Sequence, residues 1–295
     1  MSIGQTGVLK FPSRIWAPLL ATIGLTFSAA ANAALQDVEA ANNQVSAQFQ
    51  YSYVHYAEKL NDNETGNGGT LDSEDGYVTG YALSSSAMKD LWLGHDYFGA
   101  QYSSLSGKTN YIGGTQANPT YGSLTGESGA RAKDGSLRYG AGIVIDHDLM
   151  VTPYGEFGYH KYVRTLVYGS PASYQETYTH KYFGAGAWVQ YSPSDKWVYS
   201  FNALIGRTYG ANVAVALPSP FTGFTASLGN SILENIGFSV DYAFAKRVHL
   251  KAGAEVVGWS YGSGANRPIG NGLYAYEPNS MTCITTAKVG VGFGF

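Results

Sequence analysis

The chain's final stretch, Thr282 to Phe295, reads TCITTAKVGVGFGF and constrains the fold more than any other segment. Taken two at a time from the end, Phe295, Phe293, Val291, Val289 and Ala287 are apolar. The residues between them, Gly294, Gly292, Gly290, Lys288 and Thr286, are small or polar. A period of two marks a β-strand with one greasy face and one wet or closely packed face.

The same alternation runs back to Gln44. Val45, Ala47, Phe49, Tyr51 and Tyr53 alternate with Gln44, Ser46, Gln48, Gln50 and Ser52. Leu137, Tyr139, Ala141, Ile143 and Ile145 alternate with Ser136, Arg138, Gly140, Gly142 and Val144. Further strands are expected at 77–85, 91–102, 151–164, 182–191, 197–205, 236–242 and 248–256. The pattern predicts about ten strands, within a range of roughly nine to twelve, joined alternately by short turns and long polar loops. Short turns are expected at SSAMKD, DHDLM and SPSDK and near Lys246; long loops surround Glu64, Asn118, Ser170, Phe221 and Asn266. The third strand alternates least well, and a bulge fits beside His95 and Asp96.

Which face carries charge decides the environment. Arg138, Glu156, His160, Arg164, Trp188, Asp241, Lys251, Glu255 and Lys288 share the phase of the strand glycines and are the expected lumen-lining set. The opposite phase is uncharged at mid-strand on the cleanest strands. Arg or Lys at a bilayer midplane costs ~2–4 kcal/mol, whereas a soluble barrel would be apolar inside. Lys161 and Lys181 fall on the outer phase near the long-loop ends, where they can snorkel. A strand edge in lipid leaves backbone groups unsatisfied, so the sheet must close. The 24 Tyr, 38 Gly and 13% charged residues suit many strands and interfacial aromatic belts.

At the other end, Lys10 and Arg14 precede the apolar run IWAPLLATIGLTFSAA and the small-x-small site Ala31-Asn32-Ala33. This reads as a cleaved secretory signal over 1–33, followed by a short arm over 34–43 and the barrel over 44–295. The single Cys283 has no intramolecular partner and reads as a structural thiol. Formal charge is -3 before cleavage, which argues against nucleic acid as a partner.

With alternation from Gln44 onward and GVGFGF at its end, the chain resembles the bacterial outer-membrane β-barrels. The resemblance implies an all-β, antiparallel, up-and-down transmembrane barrel in the outer membrane. It implies that Phe293 and Phe295 act as the assembly signal read by the barrel assembly machinery. It also implies contact with outer-membrane lipid and lipopolysaccharide, periplasmic short turns and extracellular long loops.

Motifs for chemistry are weak. Gly258-Trp259-Ser260-Tyr261-Gly262 matches an esterase pattern but lacks the strand-to-helix elbow. Ser106-Gly107-Lys108-Thr109 lacks the first glycine of a phosphate loop. The omptin proteases are also ten-stranded outer-membrane barrels, with acidic and Asp–His pairs at the extracellular rim. Asp146-His147-Asp148 falls on a short turn, so it does not fit that arrangement. His55 and His95 have no recognisable partner for a lipid-modifying site. Asp62, Glu64, Asp72, Glu74 and Asp75 read as a solvated loop, because their spacing is not that of a cation loop. No catalytic group, metal site or cofactor is assigned.

Two functions compete: a narrow porin-like path for small polar solutes or ions, and a plugged barrel whose loops bind a surface partner. A third is an outer-membrane enzyme such as an omptin-like protease. Barrels of ~8 strands are just filled by side chains, so any pore through about ten should be small. Glu255 and Lys288 are expected to pair inside it.

Overall fold

The computed structural model describes residues 34–59, 69–114, 118, 120–167 and 173–295. A helix, α1 (Ala34–Asn42), precedes β1 (Gln44–Lys59), β2 (Thr70–Asp90), β3 (His95–Gly113), β4 (Leu124–Asp146), β5 (Leu149–Leu166), β6 (Tyr174–Ser194) and β7 (Trp197–Ala216). Then come β8 (Phe224–Ser227), β9 (Ile232–Ala245), β10 (Val248–Tyr261), β11 (Arg267–Gly270), β12 (Leu273–Ala275) and β13 (Asn279–Gly294).

Neighbouring strands pair antiparallel from β1 through β7, then β7 with β9, β9 with β10, β10 with β13, and β13 with β1. Ten strands therefore form a closed antiparallel barrel. Short β8 pairs with the far end of β7, and β11–β12 is a separate hairpin. Closure depends on the terminal strand lying close to β1: a methyl at Gly290 would run into the Ala47 carbonyl.

The outer wall carries exposed Val45, Phe49, Tyr51, Tyr53, Tyr81, Leu137, Phe157, Phe183, Ile205, Phe238, Val289, Val291 and Phe293. Aromatics edge this apolar band: Trp197 and Tyr242 pack together at a tilt near the end that holds β13's last residues, and Tyr51 stacks on Tyr77 toward the other. We call these the terminal end and the loop end.

Several strands outrun their expected limits. The turn expected at SSAMKD is strand, and the real turn is Leu91–Gly94. Ser84, Ser86 and Met88 form the inward phase there, so the polar residues belong to a wall facing the lumen. Trp92 and Leu93 sit in a tight turn because their backbone N–H groups donate to the Asp96 carboxylate, at 2.8 and 2.9 Å. Strand three therefore begins at His95 rather than Leu91. At the loop end, β7 continues to Ala216 into what reads as loop. Gly210 takes a positive φ of 62° and bulges the strand, reversing the phase so that Ala211, Val213 and Val215 are buried.

Candidate functional site: a lumen closed at two levels

Contacts between strands that are not neighbours in the wall must cross the lumen. The most extensive of these centre on Arg164 of β5, which is fully buried. Its Nη1 lies 2.7 Å from Glu58 Oε1 and 2.8 Å from Glu176 Oε2. Its Nη2 lies 3.2 Å from Asp72 and 3.1 Å from Glu74. Four carboxylates from β1, β2 and β6 thus share one planar guanidinium, whose several fixed donors suit such a fork. Tyr56 stacks beneath it, 3.8 Å from ring centroid to Cζ. Glu58 and Asp72 are directly opposed in the register, an arrangement that is destabilising without a cation between them.

Protons are also shared here. The Tyr178 hydroxyl lies 2.5 Å from Glu277, 2.8 Å from Glu176 and 3.0 Å from the Tyr56 hydroxyl. Tyr56 OH is 2.8 Å from Glu58. The two hydroxyl hydrogens cannot serve all of these oxygens, so carboxyl protons fill the difference. The cage lies beyond Tyr53 on β1 and beyond Lys161 on β5, outside the apolar band. Burial pushes Glu176 up to about 7, with Arg164 and the Tyr178 hydrogen bond pulling against the rise and the Glu58 and Glu74 carboxylates adding to it. Burial, and then the nearby carboxylates, raise Asp72 and Glu277 well above the usual range.

Asp72 and Glu74 are therefore buried strand residues and not part of a solvated loop; Asp62 and Glu64 lie outside the described residues. Sequence spacing gave one clue to the cage, since Asp72 and Glu74 share a strand phase. Nothing in the sequence pairs them with Arg164.

Below the cage, His160 stacks on His180 with ring centroids 5.1 Å apart, and Trp259 packs edge-on against His160 at 4.4 Å. Trp259 and Ser260 thus continue a strand, and no elbow forms at the esterase-like pattern. Next come Arg138–Glu156 at 2.6 Å and the expected Lys288–Glu255 pair, also at 2.6 Å. The Arg138 guanidinium lies 4.1 Å from the Tyr154 ring and 5.8 Å from Trp188. Lower still, Asp241 takes His249 at 2.5 Å, Lys251 at 3.6 Å and Gln44 at 2.9 Å. These polar layers leave small cavities of about 160 and 90 Å³.

At the terminal end the seal is helical. Val38 and Ala41 of α1 are buried with Met88, Tyr97, Met150 and Val198. Asn42 and Gln190 exchange amide hydrogen bonds at 2.8 and 3.1 Å, so the helix over the expected arm is tied to the inner wall across the lumen.

The remaining histidines also have acidic partners. His55 Nδ1 lies 2.6 Å from Asp75 on the outer wall. His95, at the terminal end, lies 3.0 Å from Glu39 and 3.1 Å from Asp90. His147 bonds Asp146 at 2.7 Å in the β4–β5 turn, also at the terminal end.

No protein-family model and no curated protein matches the sequence. The fold has solved counterparts. The outer membrane protease OmpT from Escherichia coli superposes with a TM-score of 0.60 at 10% identity, covering 86% of this chain and 97% of that one. The fold is that of a bacterial outer-membrane β-barrel. The translocator domain of the autotransporter NalP from Neisseria meningitidis also matches, with a TM-score of 0.40, 12% identity and coverage of 89% and 92%. So does Ail, the attachment invasion locus protein of Yersinia pestis, at 0.29, 10%, 86% and 99%.

Proposed function

We propose that this outer-membrane barrel is a closed, surface-displaying protein and not a solute pore. The observation that carries the reading is double closure: the Arg164 cage spans the lumen at the loop end, and α1 spans it at the terminal end. Cleavage after Ala33 would leave α1 as the first element of the mature protein. With both termini in the periplasm, the loop end faces outward. There β8 and the β11–β12 hairpin pack together, the Thr222 N–H donating to the Ile269 carbonyl at 2.9 Å. Phe221, Leu273 and Tyr274 are exposed on this platform, a surface suited to a partner outside the cell.

A non-enzymatic role fits the same geometry. OmpT is a protease, but here Glu58, Asp72, Glu74 and Glu176 at the loop end are buried against Arg164, and exposed Glu127 is held by Lys108. The Asp146-His147-Asp148 run lies at the opposite end.

Liposome swelling tests the reading. Vesicles holding the refolded protein should shrink in concentrated glycine or arabinose and stay shrunken. Swelling at a rate set by solute size would instead support the porin-like path.

A further inference from the structure

At the terminal end, side chains from three segments converge on one point that the closure of the lumen does not explain. Glu39 comes from α1, Asp90 is the last residue of β2 and His95 the first of β3. One oxygen of each carboxylate and one ring nitrogen lie within 4.8 Å of one another. His95 Nδ1 stands 3.0 Å from Glu39 and 3.1 Å from Asp90. Nδ1 is nevertheless buried and makes no hydrogen bond. At these distances a ring N–H aimed at either oxygen would bond it, so both carboxylates lie off the nitrogen's axis. An imidazolium held between two acids would point its proton at one of them.

The scaffold fixes all three donors. Asp90 and His95 face each other in the register and close the Leu91–Gly94 turn. That turn is braced from within: the Leu91 N–H donates to the Gly94 carbonyl at 3.1 Å, and Asp96 accepts from Trp92 and Leu93. On the helix side, the Asn43 amide donates to the Glu39 carbonyl at 2.8 Å and its oxygen accepts the Met88 N–H at 2.9 Å. One asparagine thus ties the end of α1 to β2 two residues before Asp90. Supports of this kind hold metal ligands in direction.

Two carboxylates and an imidazole around a shared point match the coordination shell of a borderline divalent cation. Zinc bonds of ~2.0–2.2 Å to nitrogen and oxygen place neighbouring donors ~3.0–3.5 Å apart in octahedral or tetrahedral shells. A lone pair on Nδ1 directed between the two oxygens would meet such an ion, which accounts for the off-axis carboxylates. The imidazole selects against calcium and magnesium, which prefer oxygen ligands. We infer that Glu39, Asp90 and His95 bind a zinc-class divalent cation that clips α1 to the β2–β3 turn. The Asp90 side chain is 76% exposed, so the ion enters from solvent and water completes its shell. The nearby Asp146-His147-Asp148 run lacks this geometry, because His147 Nδ1 already hydrogen-bonds Asp146. The site stands whether or not the lumen conducts.

Calorimetric titration of Zn²⁺ into the refolded, untagged mature barrel in detergent tests the site, with Mg²⁺ and Ca²⁺ as comparison ions. Wild type should bind one zinc per chain, at least tenfold more tightly than either comparison ion. Zinc should also raise its unfolding temperature, as mass action requires. Glu39→Gln and His95→Gln should each weaken zinc at least tenfold, in variants shown to be folded by heat-modifiable migration on a detergent gel. His147→Gln, in the neighbouring turn, should leave the affinity unchanged. No zinc binding by wild type would reduce the cluster to an ordinary ion-pair group and overturn the site. Equal affinity for Mg²⁺ or Ca²⁺, or undiminished zinc binding by His95→Gln, would overturn it as well. So would a loss on His147→Gln alone, which would move the ion to the other turn.

Discussion

The two closures of the lumen use opposite chemistry. At the loop end, a buried guanidinium holds carboxylates from three other strands, and the surplus acid is accommodated with protons. At the terminal end, α1 contributes Val38 and Ala41 to an apolar cluster and a neutral Asn42–Gln190 amide pair. Buried ions are costly to desolvate and very costly to leave unpartnered, whereas apolar contact degrades gradually as atoms are removed. The first closure should therefore be brittle and the second graded.

The largest effect is expected from Arg164. Arg164→Ala removes the only cation among the cage's described groups and should destabilise the barrel by about 3–5 kcal/mol at neutral pH. Urea unfolding in detergent followed by tryptophan fluorescence measures this. Arg164→Lys should recover little, because one ammonium lacks the guanidinium's fork. Full rescue by Lys would show that only net charge matters.

Next is the mid-lumen pair. Glu255 and Lys288 are a quarter and a tenth exposed at their side chains, so water shares part of their charge. Glu255→Gln or Lys288→Met alone should cost up to about 3 kcal/mol, discounted for that water. The double variant should cost less than the sum of the two. Additive losses would mean that the ions do not couple.

On the terminal side, Asn42→Ala should cost only about 1 kcal/mol through the lost amide bonds to Gln190. A loss equal to that of Arg164→Ala would erase the contrast between the two ends.

The smallest effect is the pH response. Glu176, Asp72 and Glu277 hold protons in the folded cage that the unfolded chain has released. Stability is then greatest below the ordinary carboxylate range and falls as pH rises from 4.5 through about 7 for Glu176. Arg164, Glu58, Glu74 and the Tyr56 and Tyr178 hydroxyls face the same space. Unfolding free energies measured from pH 4 to 8 should fall across this window. A rise over the same interval would contradict the proton count.

The sequence and structure agree most where physics is local. Alternation along each strand tells inside from outside, so Lys288 and Glu255 could be assigned to the lumen and to neighbouring strands. Cross-lumen meetings are not local. Glu58, Asp72 and Glu74 reach Arg164 only because barrel curvature brings distant strands face to face. The strand ends were hidden for two reasons. Polar Ser84 and Ser86 look like turn residues until a polar lumen is known to lie behind them. At Gly210 a bulge shifts the phase, so a period-two reading of β7 breaks off early. The α1 seal was legible only as an arm, because burial of Val38 needs a barrel around it.

Single-channel recording tests the double closure most directly. Wild type, Arg164→Ala and a chain lacking residues 34–42 should each insert into planar bilayers without steady current, since one closure remains in every case. Combining the substitution and the deletion with Trp259→Ala, which thins the His160–His180–Trp259 layer between the two ends, should produce discrete, ohmic openings. Steady conductance in the wild type, or in either single variant, would contradict a lumen closed independently at both ends.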